Sequence, residues 1–271
     1  MNLYSYVSIE SFVRGCKESK MPGTFTLRIP NLLYAKPDEV IGYGLSLLRR
    51  SIVVHEEQNG IKQEFSKQNI PFFRENRRML IGPEMEMYTL SLYRNPEIPS
   101  GVKEKNAPCL RLAFDYGALG EYSLSENKYL LCCKYDEEEN LNTFVSQMRQ
   151  EYDNFFYDEE HTGFKRDSRL FSMLCNACLE VREPRWASEQ EWGLVQFCSP
   201  EEAGYDFMDG NLLPYVDYAI PFDCLRRIAL VNQPENTPTY SALAGFLQSK
   251  GLAPDRYLEG IGDVEDIADR I

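Results

Sequence analysis

The sequence predicts an α+β fold, in which a mixed, largely antiparallel central sheet is flanked by helices. Segments with an apolar residue at every second position are typical of strands, and segments with apolar residues three and four apart are typical of helices. Both types occur along the chain, but they do not alternate strictly, as they do in parallel α/β proteins. Of the 271 residues, 43% are hydrophobic, and we expect a single domain over 1–271 that ends in an acidic tail at 258–271.

The first part of the chain alternates between strand and helix patterns. Residues 3–7 alternate as a strand, and Ser8 is suited to cap the helix that follows. Residues 25–29 alternate as a second strand, and a Pro-Asp-Glu sequence begins a helix over residues 37–54. Residues 56–78 are polar and basic, which indicates a surface loop or a weak helix.

The same two patterns describe the rest of the chain. A last helix is expected to begin at Thr237-Pro238, with Gly251 at the C′ position after its end. An acidic, glycine-containing loop precedes the next-to-last strand. Strands are expected over residues 86–93, 110–116, 129–135, 191–197, 215–220 and 225–231, and helices over residues 137–156 and 168–180.

Composition restricts the class of protein. A formal net charge of −13 without a basic tail argues against general nucleic-acid binding, which needs a positive surface. No apolar run approaches the roughly 18 residues of a membrane-spanning helix, and the N-terminus does not resemble a signal peptide. The eight cysteines are then expected to be reduced thiols. We therefore expect a cytoplasmic protein that does not bind membranes. Another protein is the class of partner that composition leaves open.

The segment Glu189-Gln-Glu191-Trp192 is the best candidate for chemistry. On a strand, Glu189 and Glu191 would lie side by side and Trp192 would turn into the core. Two carboxylates that close raise the pKa of at least one of them, as in many acid–base sites. The alternative is that both glutamates are solvated residues at the start of a strand, with Trp192 as a core anchor.

Several segments carry a resemblance to a bacterial family. They are Leu3-Tyr4-Ser5-Tyr6-Val7-Ser8, Tyr88-Thr89-Leu90-Ser91, Leu110-Arg-Leu-Ala-Phe-Asp115, Glu189-Gln-Glu191-Trp192 and Ile220-Pro221 with Leu225-Arg-Arg-Ile228. In order and spacing they resemble the domain-of-unknown-function 2971 family, and the likeness covers most of the chain. The resemblance implies a cytosolic protein in an interaction or phage-defence role. The chain departs from the family at Gly193, where members carry Arg.

A more distant likeness suggests an enzyme. Arginine-directed ADP-ribosyltransferases carry an Arg or His on the first strand, then a Ser-Thr-Ser-like strand, then Glu-x-Glu. This chain is similar in order, with Tyr6, Thr89-x-Ser91 and Glu189-x-Glu191, but it lacks the first-strand cation. The likeness implies that NAD is the cofactor, that Glu191 is the catalytic carboxylate and that Glu189 orients the nucleophile. Tyr4, Tyr6 and Ser91 would bind NAD.

Two function hypotheses therefore follow from the sequence. The first is a non-catalytic or divergent family member that acts by interaction, and the missing cation and Gly193 favour it. The second is an ADP-ribosyltransferase-like enzyme that uses NAD through Glu191. In the second case Glu189, Glu191, Ser91 and an N-terminal tyrosine should line one cleft.

Cysteine pairs give a candidate zinc site. Cys175 and Cys178 lie three apart, and Cys132-Cys133 would complete four thiolates. The alternative is favoured, because two cysteines in an apolar helix are typically buried and adjacent cysteines in a strand point to opposite faces. We therefore expect no metal.

Two further clusters are candidate surfaces. One is an acidic, aromatic stretch over residues 152–164 that includes His161 and would suit a partner, or else divides between core and loop. The other is basic and would meet a phosphate or an acidic partner, or else is a solvated loop; it comprises Lys62, Lys67, Arg74, Arg77 and Arg78. His55 is expected near a helix end, where a cation suits the helix dipole.

Overall fold

The computed structural model describes residues 1–35, 38–60, 86–97, 99, 107–125, 128–156, 169–208, 210–232 and 237–259. The strands in these ranges are β1 (Asn2–Ser8), β2 (Thr24–Pro30), β3 (Glu86–Tyr93), β4 (Cys109–Asp115), β5 (Tyr129–Cys132), β6 (Glu191–Cys198), β7 (Gly204–Met208), β8 (Asn211–Pro221) and β9 (Leu225–Val231). The α-helices are α1 (Ile9–Glu18), α2 (Leu32–Ala35), α3 (Asp38–Gln58), α4 (Tyr116–Ser125), α5 (Glu137–Phe156), α6 (Arg169–Leu179), α7 (Pro238–Ser249) and α8 (Pro254–Tyr257).

The strands form two sheets within the described residues. The larger sheet has the order β5-β6-β3-β1-β4-β9, and the smaller one has the order β2-β8-β7. Antiparallel pairs join β1 to β3 and to β4, β4 to β9, β5 to β6, and β7 to β8. The predicted α+β fold with a largely antiparallel central sheet and flanking helices is thus confirmed.

The chain divides into two compact units. Unit 1 comprises Met1–Arg28, Ser91–Asn127 and Asp217–Ile271, and unit 2 comprises Ile29–Leu90 and Lys128–Val216. The strands β2, β3 and β8 contribute residues to both units. The expectation of one domain over 1–271 stays a prediction, and so does the acidic tail, most of which lies outside the described residues.

Unit 1 has an aromatic core around Phe25. The ring of Phe25 lies 5.4 Å from that of Phe12 and 5.1 Å from that of Phe222, measured between centroids. Phe114 of β4 stacks on the same ring at 6.4 Å. Such tilted and offset ring pairs add stability beyond the area that they bury. The core therefore joins α1, β2 and β4.

Two helix ends in unit 1 confirm predicted capping residues. The Ser8 side chain accepts a hydrogen bond from the Ser11 N–H at 3.0 Å, as expected of the N-cap of α1. Gly251 follows α7 with φ of 75°, and its N–H donates to the Gln248 carbonyl. A residue with a Cβ adopts this left-handed conformation only with strain, which explains glycine at C′.

Unit 2 has a helical core. Buried apolar side chains of α3, α5 and α6 pack together, among them Ile41, Leu48, Phe144 and Met173. The approach of α3 to α6 is close at Gly44, where an added Cβ would lie 1.8 Å from the Ala177 carbonyl oxygen. This contact requires glycine, because any side chain would push the two helices apart.

Some elements differ from the prediction. Tyr116–Ser125 forms α4, whose first turn is capped by the Asp115 carboxylate as it accepts from the Ala118 N–H at 2.9 Å. Two glycines and two tyrosines lower the helix propensity of this segment, so the sequence pattern missed it. The expected loop before residue 215 contains β7 and the first four residues of β8. The Asp209-Gly210 dipeptide, typical of a two-residue hairpin turn, was the overlooked signal.

Helix α3 extends to Gln58, and β5 ends at Cys132. The basic residues between 62 and 78 lie outside the described residues. Among the helices that the structure describes, none is long and apolar enough to cross a membrane.

We predict opposite effects for two glycine substitutions in α3. Gly44→Ala forces a Cβ against the Ala177 carbonyl and should lower the free energy of unfolding by about 1–3 kcal/mol. Gly42→Ala has open space and should raise it by about 0.5–1 kcal/mol, because alanine has the higher helix propensity. Urea unfolding measured by circular dichroism tests both. Equal stability of the two variants would contradict the close helix contact.

Candidate functional site

The two glutamates near position 190 do not lie side by side on a strand, contrary to the prediction. Glu189 is the last residue of a 3-10 helix, Pro184–Glu189, whereas Glu191 is the first residue of β6. Between them Gln190 adopts a left-handed conformation, with φ of 48° and ψ of 52°. The rule that residues i and i+2 share a face holds only within a strand, and this turn separates the two carboxylates.

Glu191, and not Trp192, is the buried residue at the start of β6. Glu191 is 7% exposed, while Trp192 is only half-buried and lies opposite Cys132 of β5. The expectation that Trp192 turns into the core is therefore wrong. The reason is that a partner for the Glu191 charge lies on the buried side.

That partner is Arg182. Its Nε donates to Glu191 Oε2 at 2.9 Å, and the two side chains are 3% and 9% exposed. Nη1 of Arg182 also donates to the carbonyls of Cys178 and Val181, at 3.2 and 3.0 Å. Burial opposes the charge on Arg182, but the interactions with its acidic neighbours, of which Glu191 is the first, together outweigh burial, so the pKa of Arg182 lies above its ordinary value. The contact has the geometry of a buried ion pair, in which each charge compensates the other.

The main chain of Glu191 is also held in place. Its N–H donates to the Tyr135 hydroxyl at 2.8 Å, and its carbonyl accepts from the Cys133 N–H at 3.0 Å. Burial raises the pKa of Tyr135, so this phenol is neutral over the physiological range. These bonds fix Glu191 in one position and make it a structural member of unit 2.

The residues suggested for NAD binding lie in unit 1. Tyr4 and Tyr6 share one face of β1, and the Tyr6 hydroxyl donates to the Pro96 carbonyl at 2.9 Å. Ser5, on the opposite face, donates to the backbone carbonyl of Ser91 at 3.4 Å. Glu189 and Glu191 belong to unit 2. That Glu189, Glu191, Ser91 and an N-terminal tyrosine line one cleft stays a prediction.

Sequence reasoning missed a cation beside the tyrosines. Arg111 of β4 lies directly opposite Tyr6 in the β1–β4 register, and its guanidinium carbon is 5.5 Å from the centroid of the Tyr4 ring. Burial raises the pKa of Tyr6 to about 12. The signal was present in the sequence, because Arg111 occupies a polar position within an alternating apolar strand. Only strand pairing, however, brings it to Tyr4 and Tyr6.

Arg182 and Tyr135 were also missed. Arg182 follows α6 at a bridge between Val181 and Lys134, and nothing in the local sequence marks it as buried. Its partner lies nine residues away across a turn. Pairing across such a turn is not encoded in hydrophobic periodicity.

The four cysteines of the candidate zinc site are not joined in disulfides. Cys175, Cys178 and Cys133 are buried, while Cys132 is exposed. Burial raises the pKa of Cys175 to about 12, which disfavours the thiolate that metal binding needs. Among the described residues, no group of three or more His, Cys, Asp or Glu side chains is placed to hold a metal ion.

The remaining candidates divide between described and undescribed parts of the chain. His55 lies in the last turn of α3, as expected, and is buried beside Asn59. The side chains of the aromatic stretch 152–164, including His161, lie outside what the structure describes. So do Lys62, Lys67, Arg74, Arg77 and Arg78.

We predict that Glu191→Gln lowers the free energy of unfolding by about 3–5 kcal/mol, because it leaves the buried Arg182 guanidinium uncompensated. Glu189→Gln is the matched control, and it should cost less than about 1 kcal/mol because Glu189 lies outside the buried pair. Urea titration at neutral pH measures both. The double variant Arg182→Met/Glu191→Gln should recover part of the loss, and equal costs for the two glutamates would contradict the structural role.

Comparison with protein-family models, with curated proteins and with solved structures finds no match for this chain.

Proposed function

We propose that this chain is a non-catalytic cytoplasmic protein that binds another protein, in an interaction or phage-defence role. The observation that carries the proposal is an exposed apolar face on the hairpin formed by β7 and β8. We call it the hairpin face and define it by Tyr205, Phe207 and Leu212, which are 64%, 73% and 56% exposed.

The three side chains lie together on one side of the hairpin. Tyr205 and Phe207 are two residues apart on β7, and Phe207 is paired with Leu212 of β8. Directly opposite residues of an antiparallel pair project from the same face. Single exposed apolar residues are common on proteins, but adjacent ones that include two aromatic rings are typical of binding surfaces.

The hairpin face continues a row that is buried elsewhere. Along β8 the positions 214, 216, 218 and 220 are buried, and Leu212 is the next residue on the same side. The apolar row therefore runs beyond the point where the rest of the chain covers it. A partner that packs on Leu212, Phe207 and Tyr205 would complete the cover.

The outer edge of β7 is less suited to binding a further strand. Met208 and Asn211, which have two residues between them in the sequence, form the last pair of the hairpin. In such a hairpin the N–H of Phe207 is directed away from β8. It donates to the Asp206 carboxylate at 2.8 Å, so this edge donor is already occupied. The partner would therefore bind through side chains on the face.

Charge defines the kind of partner. The exposed Glu201 and Glu202 lie in the short 3-10 helix Pro200–Glu202, which ends two residues before β7 begins. The chain as a whole carries a net charge of −13. Complementarity calls for an apolar surface with a basic rim, and a second copy of this chain would bring like charges together.

Glu191 supports the non-catalytic part of the proposal. A carboxylate that acts on a substrate must reach it, whereas this one is buried and engaged by Arg182. Removal from that pair would leave the arginine uncompensated. The ion pair accounts for Glu191 without an enzymatic role.

We predict that Tyr205→Ser/Phe207→Ser weakens binding to basic, apolar partner peptides at least about tenfold, because exposed aromatic anchors dominate interface energies. Peptides selected by the wild-type chain from a display library are the probe, and their affinities are measured by calorimetry. Leu124→Ser is the matched control, since Leu124 is 73% exposed on α4 in unit 1. It should bind like the wild type.

The outcome that would contradict the proposal is unchanged peptide affinity in the double variant. Sedimentation analysis of the wild type tests the alternative occupant, which is a second copy of this chain. If the wild type self-associates and the double variant does not, the hairpin face binds a second copy of the chain. The proposal of a partner with a basic rim would then be wrong.

The alternative function is an ADP-ribosyltransferase-like enzyme that uses NAD with Glu191 as its carboxylate. One observation favours it, because Arg111 brings a cation to Tyr4 and Tyr6, where the sequence lacked one on the first strand. Incubation with labelled NAD and a cell lysate tests it. The enzyme predicts label transfer by the wild type and by Glu189→Gln at a reduced rate, and none by folded Glu191→Gln. Equal or absent transfer in all three would exclude it.

A further inference from the structure

The guanidinium of Arg111 lies in a partly enclosed site in unit 1. Its side chain is 22% exposed and lies over the Tyr4 ring, at 5.5 Å from the centroid. Nη1 donates to the Pro96 carbonyl at 3.1 Å, and the Tyr6 hydroxyl donates to the same oxygen. The sheet, the two rings and this loop carbonyl therefore hold the arginine in one orientation.

The opposite side of the guanidinium is occupied by the chain's own Glu259. Nη2 donates to Glu259 Oε2 at 2.8 Å. Glu259 is held there by its backbone, whose N–H donates to the Ile228 carbonyl at 3.0 Å, and Leu258 forms a bridge with Ile228. The carboxylate is thus positioned by main-chain contacts that follow α8.

The fit between Glu259 and Arg111 is incomplete. Nε and Nη2 form the edge of arginine that binds two oxygens of one carboxylate or phosphate. Glu259 accepts a hydrogen bond from Nη2, while Nε is buried and has no hydrogen-bond acceptor among the described residues. A buried donor without an acceptor is unfavourable, and native proteins rarely leave one. A free oxyanion, which no backbone constrains, can accept from both nitrogens.

We propose that Arg111, flanked by Tyr4 and Tyr6, is a binding site for a phosphate- or carboxylate-bearing small molecule, and that Glu259 is the internal occupant that such a ligand displaces. The proposal does not involve the hairpin face. It shares Arg111, Tyr4 and Tyr6 with the alternative NAD function, but it requires neither NAD chemistry nor Glu191. The tethered carboxylate competes with the ligand, so the wild type binds oxyanions weakly. The loss of Glu259 removes the acceptor of Nη2, and a free oxyanion then takes its place and accepts from Nε as well.

The experiment is a calorimetric titration of each variant with inorganic phosphate, which measures the phosphate affinity. The ionic strength is held constant with chloride. Glu259→Ala should bind phosphate at least about tenfold more tightly than the wild type. Arg111→Met in the Glu259→Ala background should abolish this gain. Parallel titration with acetate shows whether the site prefers the phosphate or the carboxylate group.

The matched control is Asp223→Ala, which removes one exposed carboxylate from the same unit and changes the net charge equally. A general charge effect would raise its phosphate affinity as much as that of Glu259→Ala, and this result would overturn the proposal. So would phosphate binding by Glu259→Ala that is no tighter than that of the wild type. If Glu259→Ala fails to fold, Glu259→Gln, which keeps the side-chain size, decides by the same criterion.

Discussion

The buried ion pair of Arg182 and Glu191 is the constraint on which the organisation of unit 2 depends. A guanidinium that is 3% exposed is tolerated only with a charged partner and acceptors for its remaining donors. The partner comes from the start of β6, and the acceptors come from the end of α6. The backbone of Arg182 donates in turn to the Lys134 carbonyl, next to β5. One charge thus fixes where a helix ends, where a strand begins and how a third segment lies between them.

The ion pair also bears on function, because it engages the glutamate that the sequence suggests as a catalytic carboxylate. A pair of neighbouring glutamates in the sequence suggests acid–base chemistry, but the left-handed Gln190 separates them and the arginine engages the one that is buried. Chemistry at Glu191 would require the ion pair to open, which is unfavourable in a buried site. A function in binding needs no such opening. It needs exposed apolar area or polar atoms that have no hydrogen-bond partner. The described residues contain an example of each, in different units.

The hairpin face and the Arg111 site differ in what a ligand would supply to them. The hairpin face exposes aromatic and aliphatic area, which water hydrates poorly, and it would be stabilised by an apolar partner. The Arg111 site instead has a buried nitrogen without an acceptor, and it would be stabilised by an oxyanion. The first belongs to β7 and β8, the second to β1, β4 and the segment after α8. The two proposals therefore name separate classes of ligand, a protein surface for the first and a small anion for the second.

The sequence by itself determined most of the local elements, although not α4 or β7. Apolar alternation located β1, β4 and β9, and helical spacing located α5 and α6 within a residue or two, because burial of one face imposes a period on the chain. Ser8 and Gly251 marked helix ends, since capping and left-handed conformations depend on one residue and its neighbours. The tertiary structure alone decided the candidate sites. The pairing of Arg182 with Glu191, and of Arg111 with Tyr4, Tyr6 and Glu259, joins residues up to 148 positions apart. Partners at such distances are chosen by strand pairing and by the need to compensate buried charge, and no local pattern of residues records that choice.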